Sequence, residues 1–328
     1  MRKALSAPFA IVLVLWACAS VPLIGRRAPN FWGILVSTDT SSVASATTHS
    51  SLLDAVISGF IPLDSLTGMP ASSYQGPHSS ERTIGTKRLA IVTVEAGITH
   101  SMTIRRLASD AASLARSSEA IAERASSDGY GGLILAFDGL EPLDGGALVA
   151  VAGAIRAAAR KWKIEPVAVA VPAGDTAAYP GALLVRAADM LFVRLTNQHW
   201  LTSPPGPPAS PDWVRRMLAA RIAEVGPSRI VAVLPVHGLV WPQGEVAVPI
   251  SFTDAQRLAA EGGIALVREP SSATLHATRP GQWEMWVSDA VLLDTLVSEA
   301  SRAGVRRFAL WRLGLEDPLI WSEVVGRR

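Results

Sequence analysis

Runs of consecutive apolar residues recur along the chain at 31–37, 55–63, 88–94, 133–137, 166–171, 189–195, 229–234 and 306–311. Each is bounded by glycine, proline or polar clusters, and few alternate apolar with polar. Such continuous runs suit strands of a parallel sheet buried on both faces. The stretch 102–125 reads as helical, its alanine-rich part running on to 127, and 145–163, 211–225 and 288–303 read as further helices. Ser210 is placed to cap the third of these. Residues 38–51 are rich in Ser and Thr and read as a loop leading into a short helix. Residues 64–86, punctuated by Gly, Pro and Ser, read as an exposed loop. After the seventh run, 237–241 continues as apolar chain, and a small α+β insertion is expected at about 244–285, with a helix near 253–261. Eight strands mostly separated by helices predict an α/β fold, a (β/α)8 TIM barrel spanning 28–328.

The fourth run organises the rest. Gly129-Tyr130-Gly131-Gly132 opens it, Leu133 to Phe137 forms it, and Asp138-Gly139 closes it. In a parallel barrel, polar residues at the carboxyl ends of strands face the ligand site, so Asp138 is the first candidate for chemistry. Asp39 and Glu95 stand at the ends of the first and third runs and could supply a carboxylate pair with it. Before Gly139, Asp138 also suits a turn or capping role.

Composition narrows the picture. Of the 328 residues 49% are hydrophobic and 18% charged, which excludes a disordered chain. The formal charge of +2 resides in Arg2 and Lys3 of the amino-terminal segment; the remainder is neutral and shows no basic stripe, so no nucleic-acid partner is expected. No His/Asp/Glu spacing reads as a metal site, no cofactor is expected, and no Gly-x-Ser-x-Gly marks a serine nucleophile.

Arg2-Lys3, an apolar run from Ala7 to Ile24 and Arg26-Arg27 make residues 1–27 a leader that inserts with its amino end in the cytoplasm. Three fates fit. Ala17-Cys18-Ala19 suits signal cleavage. Leu15-Trp16-Ala17-Cys18 resembles a bacterial lipobox that would acylate Cys18, the only cysteine. An uncleaved run of about 18 residues would span a bilayer as an anchor. Each implies export to the periplasm or cell envelope of a bacterium, with the membrane as a partner if the leader is retained or lipidated.

The order Gly129, Tyr130, Gly132, Phe137 resembles the fourth-strand motif of glycoside hydrolase family 18, the chitinase-like barrels, which runs Gly-Tyr-Asp-Gly-x-Asn/Asp-Ile-Asp-Phe-Glu. Gly131, Ile134 and Ala136 stand where that motif has polar or acidic residues, and Asp138 replaces its terminal Glu. Asn197-Gln198-His199-Trp200 with Pro205-Gly206-Pro207 and Trp213, then Trp286 with Asp289, then Ala309 to Gly314 with Glu316-Asp317, resemble bacterial family 18-like modules found beside polysaccharide deacetylase and glycosyltransferase modules. Leu195, Thr196 and Asn197 take the Ala, Tyr and Asp positions of the strand-six motif there. The resemblance covers roughly residues 30 to 325, is specific in the carboxyl half and weak before residue 85.

The resemblance implies substrate-assisted hydrolysis, in which the sugar's N-acetyl oxygen attacks and one Glu protonates the leaving oxygen. Asp138 as that acid is one methylene shorter, which retracts its oxygens by about 1.5 Å and can cost about a hundredfold. Ala136 lacks the orienting carboxylate, and Thr196 and Asn197 lack the phenol and second charge. The expectation is therefore an exported protein that binds N-acetylhexosamine-containing polysaccharide or oligosaccharide with little or no hydrolysis. An active glycosidase using Asp138 and a non-catalytic envelope assembly protein are the alternatives. Expected sugar contacts are Trp311, at the family's tryptophan floor, with Asn197, Gln198, His199, Trp200, Glu95, Asp39 and Trp241; aromatic faces stack on sugar C–H faces. His199 suits a site or a structural role equally, His237 has less in its favour, and Trp286 is expected to pack.

Overall fold

The computed structural model describes residues 28–95 and 100–327. In chain order the strands are β1 (Asn30–Ile34), β2 (Ala55–Leu63), β3 (Arg88–Val94), β4 (Leu133–Leu135), β5 (Val167–Pro172), β6 (Met190–Arg194), β7 (Ile230–Pro235), β8 (Gly238–Pro242), β9 (Val248–Ile250), β10 (Val267–Arg268), β11 (Leu275–Arg279), β12 (Trp283–Val287) and β13 (Arg307–Trp311). The helices are α1 (Thr40–Thr48), α2 (Ser79–Arg82), α3 (His100–Ser109), α4 (Ala111–Ser127), α5 (Gly145–Lys161), α6 (Gly181–Ala187), α7 (Pro211–Val225), α8 (Phe252–Glu261) and α9 (Ala290–Arg302).

Strands β1 to β7 and β13 close into a parallel barrel in the order of the sequence, with β13 pairing both β7 and β1. The expected (β/α)8 barrel is what forms. Inward side chains such as Trp32, Ile57, Leu89, Ile134, Ala168, Phe192 and Val231 fill the barrel. Outward ones from the same strands pack under the helices, with Leu133, Leu135, Val169 and Leu191 against Ile121, Leu148 and Leu218. This two-sided burial is why the strands read as unbroken apolar runs.

Some elements differ from the sequence reading. Residues 40–48 are helical because Asp39 caps them, its carboxylate accepting from the N–H groups of Ser41 and Ser42. The helical stretch after β3 is two helices, since Asp110 leaves helical dihedrals and caps α4 by accepting from Ala112 N–H. Within the loop 64–86 lies the single turn α2. Ser210 precedes α7 as expected, but its side chain caps nothing; its N–H donates to Gln198 Oε1. Residues 238–242 do not extend the barrel. They form β8 of a five-stranded antiparallel sheet, β10-β11-β12-β8-β9, whose apolar side packs on α8. The insertion thus runs from Gly238 to Val287 and rises from the carboxyl face, where β7 ends.

Gly59 shows how tightly the outer layer packs. A Cβ there would lie 2.2 Å from Tyr130 Cζ, so only glycine lets the Tyr130 ring lie against β2. Gly59→Ala is expected to cost about 1–3 kcal/mol through overpacking, read as a lower urea midpoint. Removing the ring in Gly59→Ala/Tyr130→Leu should return part of that loss; a double variant no more stable than the sum of the singles would count against the steric cause.

Candidate active site

The carboxyl ends of the strands open onto a cavity of about 300 Å³. Its walls are apolar, from Ile34, Phe60, Ile91, Ile134, Ala136, Ala170, Phe192 and Val233, and its polar groups are Thr93, Asp138, Arg194, Thr196 and Asn197. Trp311, at the end of β13, adds a half-exposed indole. Its carbonyl is held from both sides of the backbone, by Val236 N–H at 2.8 Å and by His237 Nδ1 at 3.2 Å.

Asp138 is set by three contacts to the fourth strand's end. Its N–H donates to His100 Nδ1 at 2.7 Å, the preceding Phe137 carbonyl accepts from Tyr179 Oη at 2.7 Å, and its Oδ1 takes Arg194 Nη2 at 2.5 Å. His100 therefore holds its Nδ1 unprotonated, and burial keeps its pKa below the ordinary histidine value against the pull of the Asp138 charge. Burial pushes the Tyr179 phenol up to about 12, so it stays a neutral donor. Arg194 is charged, yet it lies on the inward face of an apolar strand beside Phe192. Its one ion-pair partner among the described residues is Asp138, and its Nε is buried with no protein acceptor.

The candidate residues fall into two groups. Asp138, Asn197 and Trp311 line the cavity, with Thr196 Oγ1 donating to Asn197 Oδ1 at 2.8 Å. The others stand outside its lining. Asp39 caps α1 and pairs with Arg312 at 3.2 Å, while Glu95 accepts from Ser73 Oγ at 2.6 Å, so the three carboxylates do not form a set. Gln198 braces the loop 198–210 through Ser210 N–H and Pro208 O. His199 lies against Gly206 and contacts Pro204 O through Nδ1, so it serves the proline loop. Trp200 is half-exposed on that loop, Trp241 is buried with its Nε1 donating to Ser203 O, and Trp286 packs against the His276 ring at a tilt in the insertion. Cys18 lies outside the described residues.

Sequence reasoning missed His100, Arg194 and Tyr179. Only Arg194 carried a signal, a charge within an apolar strand run. His100 and Tyr179 reach Asp138 from about forty residues away on either side, and no local pattern announces that.

The arrangement can hold an apolar-faced, polar-edged ligand against Trp311. For acid catalysis it offers one carboxylate, and that one has an oxygen turned to a guanidinium. Among the described residues no group of three or more His, Cys, Asp or Glu could hold a metal.

Neither protein-family models nor curated proteins give a match to this sequence. Solved structures do. The Bacillus cereus spore cortex-lytic enzyme SleL superposes with a TM-score of 0.80 at 16% identity, over 92% of this chain and 74% of that one. A class V chitinase from Pseudomonas fluorescens Pf-5 gives 0.80 at 21% identity, over 90% and 98%. A family 18 chitinase from Cycas revoluta, solved with (GlcNAc)3, gives 0.71 at 17% identity, over 90% and 98%. The fold of this chain is thus that of the family 18, chitinase-like barrels.

Proposed function

We propose that this chain is an exported protein whose family 18-like barrel binds N-acetylhexosamine-containing saccharide with little or no hydrolysis. The observation that carries this reading is the Asp138–Arg194 pair at 2.5 Å in a cavity where, among the described residues, no second carboxylate lines the wall. A general acid must present its proton to the leaving oxygen within hydrogen-bond reach. Here Oδ1 is engaged by Arg194, and Ala136 and Ile134, on the same wall, offer methyl groups where a partner acid would orient an acetamido group. Trp311 supports binding: a half-exposed indole beside an apolar cavity suits the C–H face of a sugar. The Cycas revoluta relative in fold holds (GlcNAc)3, which favours the same ligand class. The leader supports export. Ala28 and Asn30, where the barrel begins, lie at the amino ends of the strands, opposite the cavity. A membrane-held chain would turn its cavity away from the bilayer.

The test is a binding and hydrolysis screen with chitin and poly-N-acetylglucosamine oligomers. Binding without product release is expected, unchanged in Asp138→Asn and weakened about 10- to 100-fold in Trp311→Ala, the loss of one stacked ring worth roughly 1–3 kcal/mol. Cleavage that disappears in Asp138→Asn would establish a working acid and overturn the non-catalytic reading.

A further inference from the structure

The amino ends of the barrel strands, opposite the cavity, carry a basic face assembled from distant parts of the chain. Lys87-Arg88 lead into β3, Lys163 lies just before β5, Arg229 just before β7, and Arg306-Arg307 lead into β13. Of the chain's four lysines, Lys3 belongs to the leader, and Lys87, Lys161 and Lys163 all stand at this end of the barrel. The chain beyond Arg2 and Lys3 has no net charge, so the excess here is a segregation of charge and not a general basicity.

These charges are not cancelled. Lys87 donates to Glu165 O at 2.5 Å, Arg88 to Asp128 O at 2.9 Å, Arg229 to Asp189 O at 2.8 Å, Arg306 to Ser301 O at 2.9 Å and Arg307 to Ser228 O at 2.8 Å. All five acceptors are backbone carbonyls, which fix the side chains and leave their charge whole. Lys163 is exposed. The acids nearby are engaged elsewhere: Asp128, Asp189 and Glu165 pair with Arg124, Arg156 and Arg160, and Asp54 accepts from Phe31 N–H. Trp162 adds an aromatic group between Lys161 and Lys163; it is 40% exposed, and its Nε1 donates to Glu119 Oε1 at 2.8 Å. An amphipathic indole flanked by lysines suits a membrane–water interface.

The leader expected in residues 1–27 would bring a bilayer to this same face. Ala28 lines one small cleft with Arg306 and Arg307. It lies four residues beyond Ile24, where the apolar run ends, which is at most about 14 Å of extended chain. The headgroup layer is about 5–8 Å deep on each side of a bilayer, and charges act through physiological salt over about 8 Å. An anchored barrel therefore keeps Arg306 and Arg307 within reach of lipid phosphates.

We infer that the amino face of the barrel is a docking surface for anionic phospholipid, which seats the barrel on the membrane with its cavity turned outward. Six uncancelled Lys and Arg side chains make a cluster of the size that binds anionic headgroups. The inference is independent of the saccharide reading and rests on the leader only for the nearness of the bilayer.

Full-length protein is reconstituted into nanodiscs of phosphatidylcholine alone and of an equal mixture of phosphatidylcholine and phosphatidylglycerol. Hydroxyl-radical footprinting then compares Trp162 with Trp200, which is 51% exposed on a loop at the opposite end of the barrel. Oxidation of Trp162 is expected to fall about fivefold on the anionic discs relative to the neutral ones, with Trp200 unchanged. About 0.5 M NaCl should restore it, since the attraction is screened. Lys87→Glu/Lys163→Glu reverses two exposed charges outside the core and should remove the difference between the discs, with the urea midpoint reporting that the fold is kept. Equal Trp162 oxidation on both discs, or protection that survives the double variant or the salt, overturns the docking surface. A chain that neutral discs do not retain overturns the retained leader alone, because the anionic discs then read the face by itself in the same variant.

Discussion

Replacing Arg221 with leucine is expected to cost about 3–5 kcal/mol of stability, the largest loss from any one side chain here. Arg221 is fully buried on α7 and is among the largest such side chains of the described residues. Its Nη1 donates to Tyr179 O and Glu224 Oε2, both at 2.9 Å, and its Nη2 to Pro172 O at 2.7 Å and Asp175 O at 2.6 Å. Leucine would fill much of the volume and leave three carbonyls and a carboxylate without their donor. Lysine keeps the charge but cannot span two carbonyl groups with a rigid fork, so Arg221→Lys should lose most of the same energy. Urea unfolding curves measure both. A loss below about 1 kcal/mol in Arg221→Leu would mean that water replaces the guanidinium at those carbonyls, and the role assigned to it would fall.

The consequence reaches the site. The carbonyls that Arg221 gathers belong to the last residue of β5 and the segment after it, and that segment carries Tyr179, whose phenol holds the Phe137 carbonyl next to Asp138. A stability residue on an outer helix thereby sets the position of the one cavity carboxylate. Tyr179→Phe, which removes only the hydroxyl that holds that carbonyl, would loosen the chain just past β4 with far less cost to the whole fold.

The barrel was legible because burying a parallel sheet on both faces forces the unbroken apolar runs that mark its strands. The boundaries that shifted did so for local reasons. Asp39 and Asp110 became caps, which residue type allows but spacing does not require. The 237–241 run followed β7 in sequence, yet antiparallel pairing with β12 drew 238–242 into the insertion. Of the cavity, Trp311 and Asp138 were readable as lining residues from the order of residues around them. Their partners were not. His100, which opens α3, and Arg194, which ends β6, meet Asp138 past the end of β4 only because barrel closure brings these distant segments to one face. The proline loop drew Gln198, His199 and Trp200 into its own support, where a linear motif reads them as ligands.

The second large effect is in pH. His237 is buried, and burial, with the nearby Arg312 charge, depresses its pKa to about 4 despite its bond to the Trp311 carbonyl. The unfolded chain titrates at about 6.5. Above pH 6.5 both states hold a neutral ring, and His237 costs nothing. Between 6.5 and 4 the unfolded state takes up a proton that the native state refuses, so stability falls as pH falls, by about 3 kcal/mol in all, and levels off below 4. Carboxylates add their own acid sensitivity, so the quantity to measure is the difference between wild type and His237→Gln. Urea midpoints at pH 7.5, 5.5 and 4.5 should converge as the pH drops, because the variant has no ring to protonate. Parallel curves would show that His237 keeps an ordinary pKa in the native state. The same proton bears on binding: the neutral ring sits under the Trp311 carbonyl, and charging it in this buried place would favour opening of the β7–β8 turn. Saccharide affinity should therefore hold from pH 8 to about 5 and weaken only as the pH nears 4, together with the loss of native structure.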